Sequence, residues 1–400
     1  MQPGQPDVTY TEGAVANRFS PVASAVPVFI GYVESGDAYA LYPVGSMAEY
    51  EQKLGGAPAS KGLLYYALQH HFDNGGKGGW VIPVGSYADL ANASGAQMAA
   101  AFGDPRIGQL IAAELSITLA AIPDMGLLDD KDTANWPKSW LALLSLCGVR
   151  TGVFGVLDAP DDVNYASACA TSFLQNDPAN PEWSAAYWPR LVTDYNWPDD
   201  SAVVLPASGA VIAAMQLTDE EQGTWTAPAN IALARVVKPT QSWIQSEPLF
   251  DANGVSINLI RSFAGRGTRI WGCRTLTPDA ESPWRYVQVR RFVAYVEAQL
   301  SQLGRRYVFE QNNALTWARL KGQSYAWLRQ LWMSGSLAGE TEEDAFQVEI
   351  GVGETMTDDD VQAGKMIMNV GLAVLYPAEF IDISVQFDTS MKSSGQSIPE

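Results

Sequence analysis

The 400-residue chain predicts an α/β fold of mixed α+β character, with a parallel, helix-covered region and terminal arms suited to strand donation. Three observations predict it. Short β-branched and aromatic runs alternate with amphipathic stretches over residues 26–175, the pattern of strand-helix-strand units. Glycine-marked corners separate these runs. Val8 and Tyr10 near the start, and Ile381, Ile383, Val385 and Phe387 near the end, alternate with polar residues and are tethered by Gly- and Ala-rich chain, as strand addition to a neighbouring sheet requires.

The elements follow in order. "VPVFIGYV" (26–33) reads as a first core strand, and "SMAEYEQKLGG" as a helix opened by a Ser46–Glu49 capping box and closed by Gly55 and Gly56. In "KGLLYYALQHHFD" (61–73), Leu64, Leu68 and Phe72 lie four apart with Leu63 and Ala67 beside them, a helical stripe. "NGGKGG" then sets four glycines around Lys77. A phosphate-binding loop follows a strand and opens a helix, where backbone amides hold the phosphates. Here the order is reversed and no Ser or Thr follows Lys77. The run is therefore a corner, with Gly75 or Gly76 as a left-handed cap and "WVIPV" as a buried strand carrying Trp80 and Ile82. A strand over 116–123, a helix over 137–147, a strand over 151–160 and a helix over "VNYASACATSFL" continue the alternation.

Asp124 and Asp158 fall at the carboxyl ends of two of these strands, where α/β enzymes place catalytic groups. Asp beside Pro is also ordinary turn chemistry. A soluble, hydrolase-like α/β enzyme using Asp124 or Asp158 is thus one reading. His70 and His71 are adjacent, so they point about 100° apart on a helix and cannot make a same-face metal pair. "FAGRGTRIWG" has Ile270 where a dinucleotide fingerprint needs its third glycine, and reads as a turn.

Beyond residue 284 the chain turns helical. Val289, Phe292, Val293, Val296, Leu300 and Leu303 mark an amphipathic helix stopped by Gly304, and Trp327, Leu328, Leu331 and Trp332 mark a second. "AFQVEIGV" (345–352) reads as a strand. Thr357 caps a third helix with Asp360, while Asp358 and Asp359 complement its dipole. "FIDISVQF" is a half-buried strand by strict alternation.

Composition bounds the function. With 25 basic and 44 acidic residues the net charge is −19, which repels nucleic acid. Cys147, Cys169 and Cys273 lack metal or disulfide spacing and suit a reducing compartment. No signal peptide and no membrane insertion are expected, because no run of about twenty apolar residues occurs. Charge is uneven: residues 261–329 hold twelve basic against four acidic side chains, and residues 340–360 hold nine carboxylates and no Lys or Arg. Either these are solvated faces, or Glu342, Glu343 and their neighbours dock on the basic segment of another copy.

Taken together, "SAVPVFIGYVESG", "LQHHFDNGGKGGWVIPV", "LDAP", "LTDEEQGTWTAPAN", "INLIRSFAGRGTRIWGCRTL", "WRYVQVRRFVAYVEAQL", "FEQNNALTWARL" and "YPAEFIDISVQF" resemble, in that order, the sheath proteins of contractile phage tails and related injection machines. Family members often open with a run like "PGVYVEE"; here "PDVTYTEG" keeps Pro6, Val8, Tyr10 and Glu12. The resemblance implies a tail-sheath-like core and a structural role without cofactors. Its subunits stack as six-fold rings around an inner tube, exchange terminal strands with neighbours, and contract. Its implied partners are further copies, the inner tube protein, and baseplate and terminator proteins, with assembly in the bacterial cytoplasm. It also implies a tube-facing C-terminal helix, for which Asp358, Asp359, Asp360 and Lys365 are the candidates by position. The expected division is an N-terminal arm (1–22), an N-terminal α/β region (23–104), a central α/β sheath domain (105–250), a C-terminal sheath domain (251–376) and a C-terminal strand and arm (377–400). The sheath of a type VI secretion system is a further reading, although that machine usually splits its sheath between two chains.

Overall fold

Strand β1 (Pro27–Val33) sets the plan, because every one of its residues is buried. Val28, Ile30 and Tyr32 enter one core cluster while Phe29 and Val33 enter another, so the sheet must be covered on both faces. The computed structural model describes residues 22–378 apart from 151, 243, 245, 247–248 and 251–254. Val8, Tyr10, Ile381, Ile383, Val385 and Phe387 lie outside the described residues.

The chain continues through β2 (Tyr42–Val44), α1 (Met47–Leu54), α2 (Leu64–Asp73), β3 (Gly79–Ser86), α3 (Tyr87–Asn92), α4 (Gly95–Phe102), α5 (Pro105–Ala113), β4 (Leu119–Ala121), α6 (Asn135–Cys147), β5 (Phe154–Asp158), α7 (Val163–Gln175) and β6 (Ser184–Trp188). Then come β7 (Leu191–Asn196), β8 (Ala202–Leu205), α8 (Ser208–Glu221), β9 (Val236–Pro239), β10 (Asn258–Phe263) and β11 (Gly267–Trp271). The main sheet has eight strands in the order β11-β10-β6-β5-β4-β1-β3-β2. From β10 to β3 all neighbours run parallel; β2 and β11 are antiparallel additions at the two ends. One face packs under α4 to α7, where Phe102, Trp136, Trp140 and Phe173 are fully buried. The other packs under α1, α2 and α8 through Tyr50, Leu64, Leu68, Val211 and Met215. β8, β7 and β9 form a separate antiparallel sheet.

Neither edge of the main sheet is a long bare strand. β2 has three residues and a central Pro43. Along β11, residues 230–233 bond to the outer backbone: Asn230 N–H donates to Ile270 O at 2.7 Å, Ile270 N–H to Ile231 O at 3.1 Å and Leu233 N–H to Thr268 O at 2.9 Å.

The C-terminal part comprises α9 (Val287–Gly304), α10 (Ala314–Met333), α11 (Glu342–Ala345), β12 (Phe346–Glu349), α12 (Asp358–Gln362) and β13 (Asn369–Leu372). Its own core joins Phe292 and Val296 of α9, Leu328 of α10 and Phe346 and Val348 of β12. β12 and β13 pair as a two-stranded antiparallel sheet.

Several details differ from the sequence reading. The 116–123 strand shortens to β4 because Pro123 opens a 3-10 turn. The box at Ser46 is half-formed: Ser46 accepts from Glu49 N–H, but the Glu49 carboxylate takes Gly45 N–H at 2.7 Å and Lys53. α9 ends at Gly304 as expected, but Gly304 keeps right-handed angles (φ −57°, ψ −37°) and is no left-handed cap; the chain passes into a 3-10 turn (Arg305–Tyr307) and leaves helical geometry at Val308, ψ 129°.

Buried carboxylates and candidate assembly surfaces

Both candidate catalytic carboxylates stand where the sequence puts them, and both are used up by the fold. Asp124, fully buried, accepts Tyr32 N–H at 2.6 Å through Oδ2, and Leu63 N–H at 2.5 Å and Leu64 N–H at 3.0 Å through Oδ1. It thus supplies the cap that α2 lacks in its own sequence, since Leu63 has no side chain for the purpose. Asp158 performs the same service for α8, accepting Ser208 N–H at 2.9 Å, while its Oδ2 has no hydrogen-bond partner. Burial is the main cause that raises these carboxyls, Asp124 to about 6 and Asp158 to about 7. Neither reaches a surface where a substrate could sit.

The histidines belong to the same layer. His70 Nε2 lies 2.9 Å from Ala234 O, and His71 bridges Gly209 O at 3.1 Å and Lys77 O at 2.8 Å. Burial lowers both imidazoles below their usual range. The glycine corner is closed packing: Gly75 adopts φ +81°, and a Cβ on Gly76 would fall 2.4 Å from the His71 ring. Lys77 turns outward to Glu220 at 2.5 Å. Among the described residues no group of three His, Cys, Asp or Glu could hold a metal ion.

The charged segments look different in space than in sequence. Arg274, Arg290 and Arg291 are buried, so the basic run is partly internal and does not form one face. Arg290 stacks between Trp183 and Trp284, at 4.0 and 4.1 Å from the ring centroids. Glu342 is held within its own chain, accepting Arg329 Nε at 2.6 Å and the Tyr325 hydroxyl. Glu343 is exposed. At α12 the capping box of Thr357 and Asp360 is complete, Lys365 Nζ pairs with Asp360 at 3.0 Å, and Asp358 and Asp359 are exposed.

Two surfaces escaped the sequence reading. β12 and β13 have no further strand partner among the described residues, and a cleft of about 820 Å³ beside them is lined by Leu300, Leu320, Met366, Met368 and Val370. Next to it Val308, Phe309 and Leu315 are exposed, Phe309 completely. Val308 and Phe309 are adjacent and five residues, Glu310 to Ala314, separate them from Leu315, so no helical or strand period marks them. The polar residues Arg291 and Gln299, buried on the inner side of α9, were also missed, because an apolar stripe draws attention away from the polar residues within it.

A family model described as the phage tail sheath C-terminal domain matches residues 279–388. Over 97% of this chain and 100% of the other, the protein is 39% identical, with a TM-score of 0.85, to a chain in a structure of the anti-feeding prophage baseplate in its contracted state. The chain belongs to the contractile tail sheath family. A chain of the anti-feeding prophage helical sheath in the contracted state is 29% identical at a TM-score of 0.73, again over 97% of this chain and 100% of the other. The sheath tail protein of Listeria innocua shares the fold at 10% identity and a TM-score of 0.57, over 88% and 95% of the two chains. Comparison with curated proteins gives no match. This sheath protein is therefore a structural subunit of a contractile particle of the phage-tail or injection-system kind, and the hydrolase reading falls. The interior positions of Asp124 and Asp158 agree with that.

Proposed function

We propose that this sheath subunit forms the part of the sheath that meets the baseplate of an extracellular contractile injection particle. The observation that carries this is that the 39% match is to a chain of a baseplate structure, whereas the helical-sheath chain is 29% identical, as is a chain of a second baseplate structure. In this reading sheath subunits stack as six-fold rings around an inner tube, this chain supplying the rings at the baseplate end; they assemble in the cytoplasm, a terminator closes the far end, and contraction drives the tube through a target envelope. A head-to-tail contact that does not close on itself generates such an open helical array. Whole particles in which this chain carries a gold-binding tag test the placement. Label at one end of the sheath is expected; label along its full length would give the helical-body role instead.

Strand donation joins the copies in this reading. β12 and β13 pack against α9 and α10 yet form only a two-stranded sheet, and their outer edges would gain backbone pairing from strands supplied by the terminal arms of neighbours, around Val8 and Tyr10 at one end and Ile381, Ile383, Val385 and Phe387 at the other. Removing residues 377–400 should leave a folded subunit that forms no tubes by negative-stain microscopy. Normal tubes from that truncation would refute donation by the C-terminal arm.

A further inference from the structure

The root of the N-terminal arm is gripped by side chains drawn from distant parts of the chain. Val22 N–H donates to Gln299 Oε1 at 2.8 Å. Ser24 O accepts from Arg291 Nη2 at 3.2 Å and from the Thr118 hydroxyl at 3.0 Å. Ala25 O accepts from Gln216 Nε2 at 2.8 Å, and Val26 N–H donates to the Thr118 hydroxyl at 2.8 Å. These bonds hold an irregular segment, since β1 starts only at Pro27.

The gripping residues are themselves fixed. Arg291 makes two bonds to Asp219, at 3.1 and 2.6 Å, and the two side chains are only 4% and 5% exposed. Gln216 lies one turn before Asp219 on α8 and also accepts Lys77 N–H at 2.6 Å. Gln299 and Arg291 both come from α9. The segment therefore lies in a seam between α8, which covers the main sheet, and α9, which carries the C-terminal core. A buried, two-pronged Arg–Asp pair is costly to desolvate and contributes direction more than stability.

We propose that Arg291 and Asp219, with Gln216 and Gln299, are positioning residues that anchor the N-terminal arm, setting where it leaves the subunit and passing its load to both halves at once. The proposal rests on the strand-donation reading, because an arm shared with a neighbour is under tension when the lattice shortens. An anchor on α8 and α9 takes that pull on two helices and spares the first strand of the sheet.

The test uses the full chain and two variants. Arg291→Met with Asp219→Leu replaces the pair by apolar groups of similar size, and Gln299→Leu removes one bond without touching the pair. Hydrogen exchange of the amides in residues 22–26 should speed up about tenfold or more in both, with melting temperature and near-ultraviolet dichroism unchanged. Tube formation should fall as it does when residues 1–21 are deleted. Unchanged exchange in both variants overturns the anchor. Faster exchange with normal tubes, where the 1–21 deletion forms none, overturns its role in assembly. Normal tubes from the 1–21 deletion overturn donation by the N-terminal arm itself, and the load-bearing role with it.

Discussion

Replacing Asp158 by Asn should remove that residue's share of the pH dependence of stability. The carboxyl is raised from 3.8 to about 7, chiefly because burial opposes its ionised form. The folded protein therefore holds this proton more tightly than the unfolded chain does. Its contribution is fully present below about pH 4 and is lost as pH rises towards about 7. At 1.36 kcal/mol per pKa unit the loss is about 4 kcal/mol. Asn keeps an oxygen for Ser208 N–H but sets an amide where Oδ2 has no partner, at a cost of roughly 1–2 kcal/mol. The variant should thus be the less stable protein at pH 4.5 and the more stable one, by about 2 kcal/mol, at pH 8. Urea denaturation of the unassembled subunit at several pH values measures both. Parallel curves without a crossover would show that Asp158 is ionised in the fold without penalty, and the account of its burial would be wrong.

Gly209→Ala should lower stability by roughly 1–3 kcal/mol in a thermal melt, since its Cβ would meet Ala67 O at 2.4 Å and push α8 off α2. Reversing Glu342 and Glu343 to Lys should leave the subunit folded but shift tube yield and its salt dependence; superimposable salt curves would make these groups solvated surface only. Reversing Asp359 and Lys365 should spare sheath-only tubes and block co-assembly on the inner tube, measured by co-sedimentation, and unimpaired co-assembly would remove α12 from the tube interface.

How far the sequence could be read follows from what each signal depends on. "VFIGYV" announces a doubly buried strand because it is apolar at every position, and β1 is one. Gly75 is legible as a helix end because its left-handed geometry is a property of one residue. β4 is overestimated since the apolar run continues into Ile122 and Pro123, where a turn and a strand look alike. Asp124 and Asp158 are correctly placed at strand ends, yet their purpose is set by the amides of Leu63, Leu64 and Ser208, tens of residues away. The basic run misleads for the same reason: Arg274, Arg290 and Arg291 face inward, and only packing decides that.

The treatment of the main sheet's borders bears on how a strand-sharing polymer stays orderly. A subunit that accepts strands from its neighbours is at risk of accepting them in the wrong place. β2 offers three residues interrupted by Pro43, and β11 is already occupied along its outer side by residues 230–233. The eight-stranded sheet is thereby removed from competition for any incoming strand. Under the proposed strand exchange, incoming strands are left the small β12–β13 pair, and growth would follow a single route instead of dissipating into disordered precipitate.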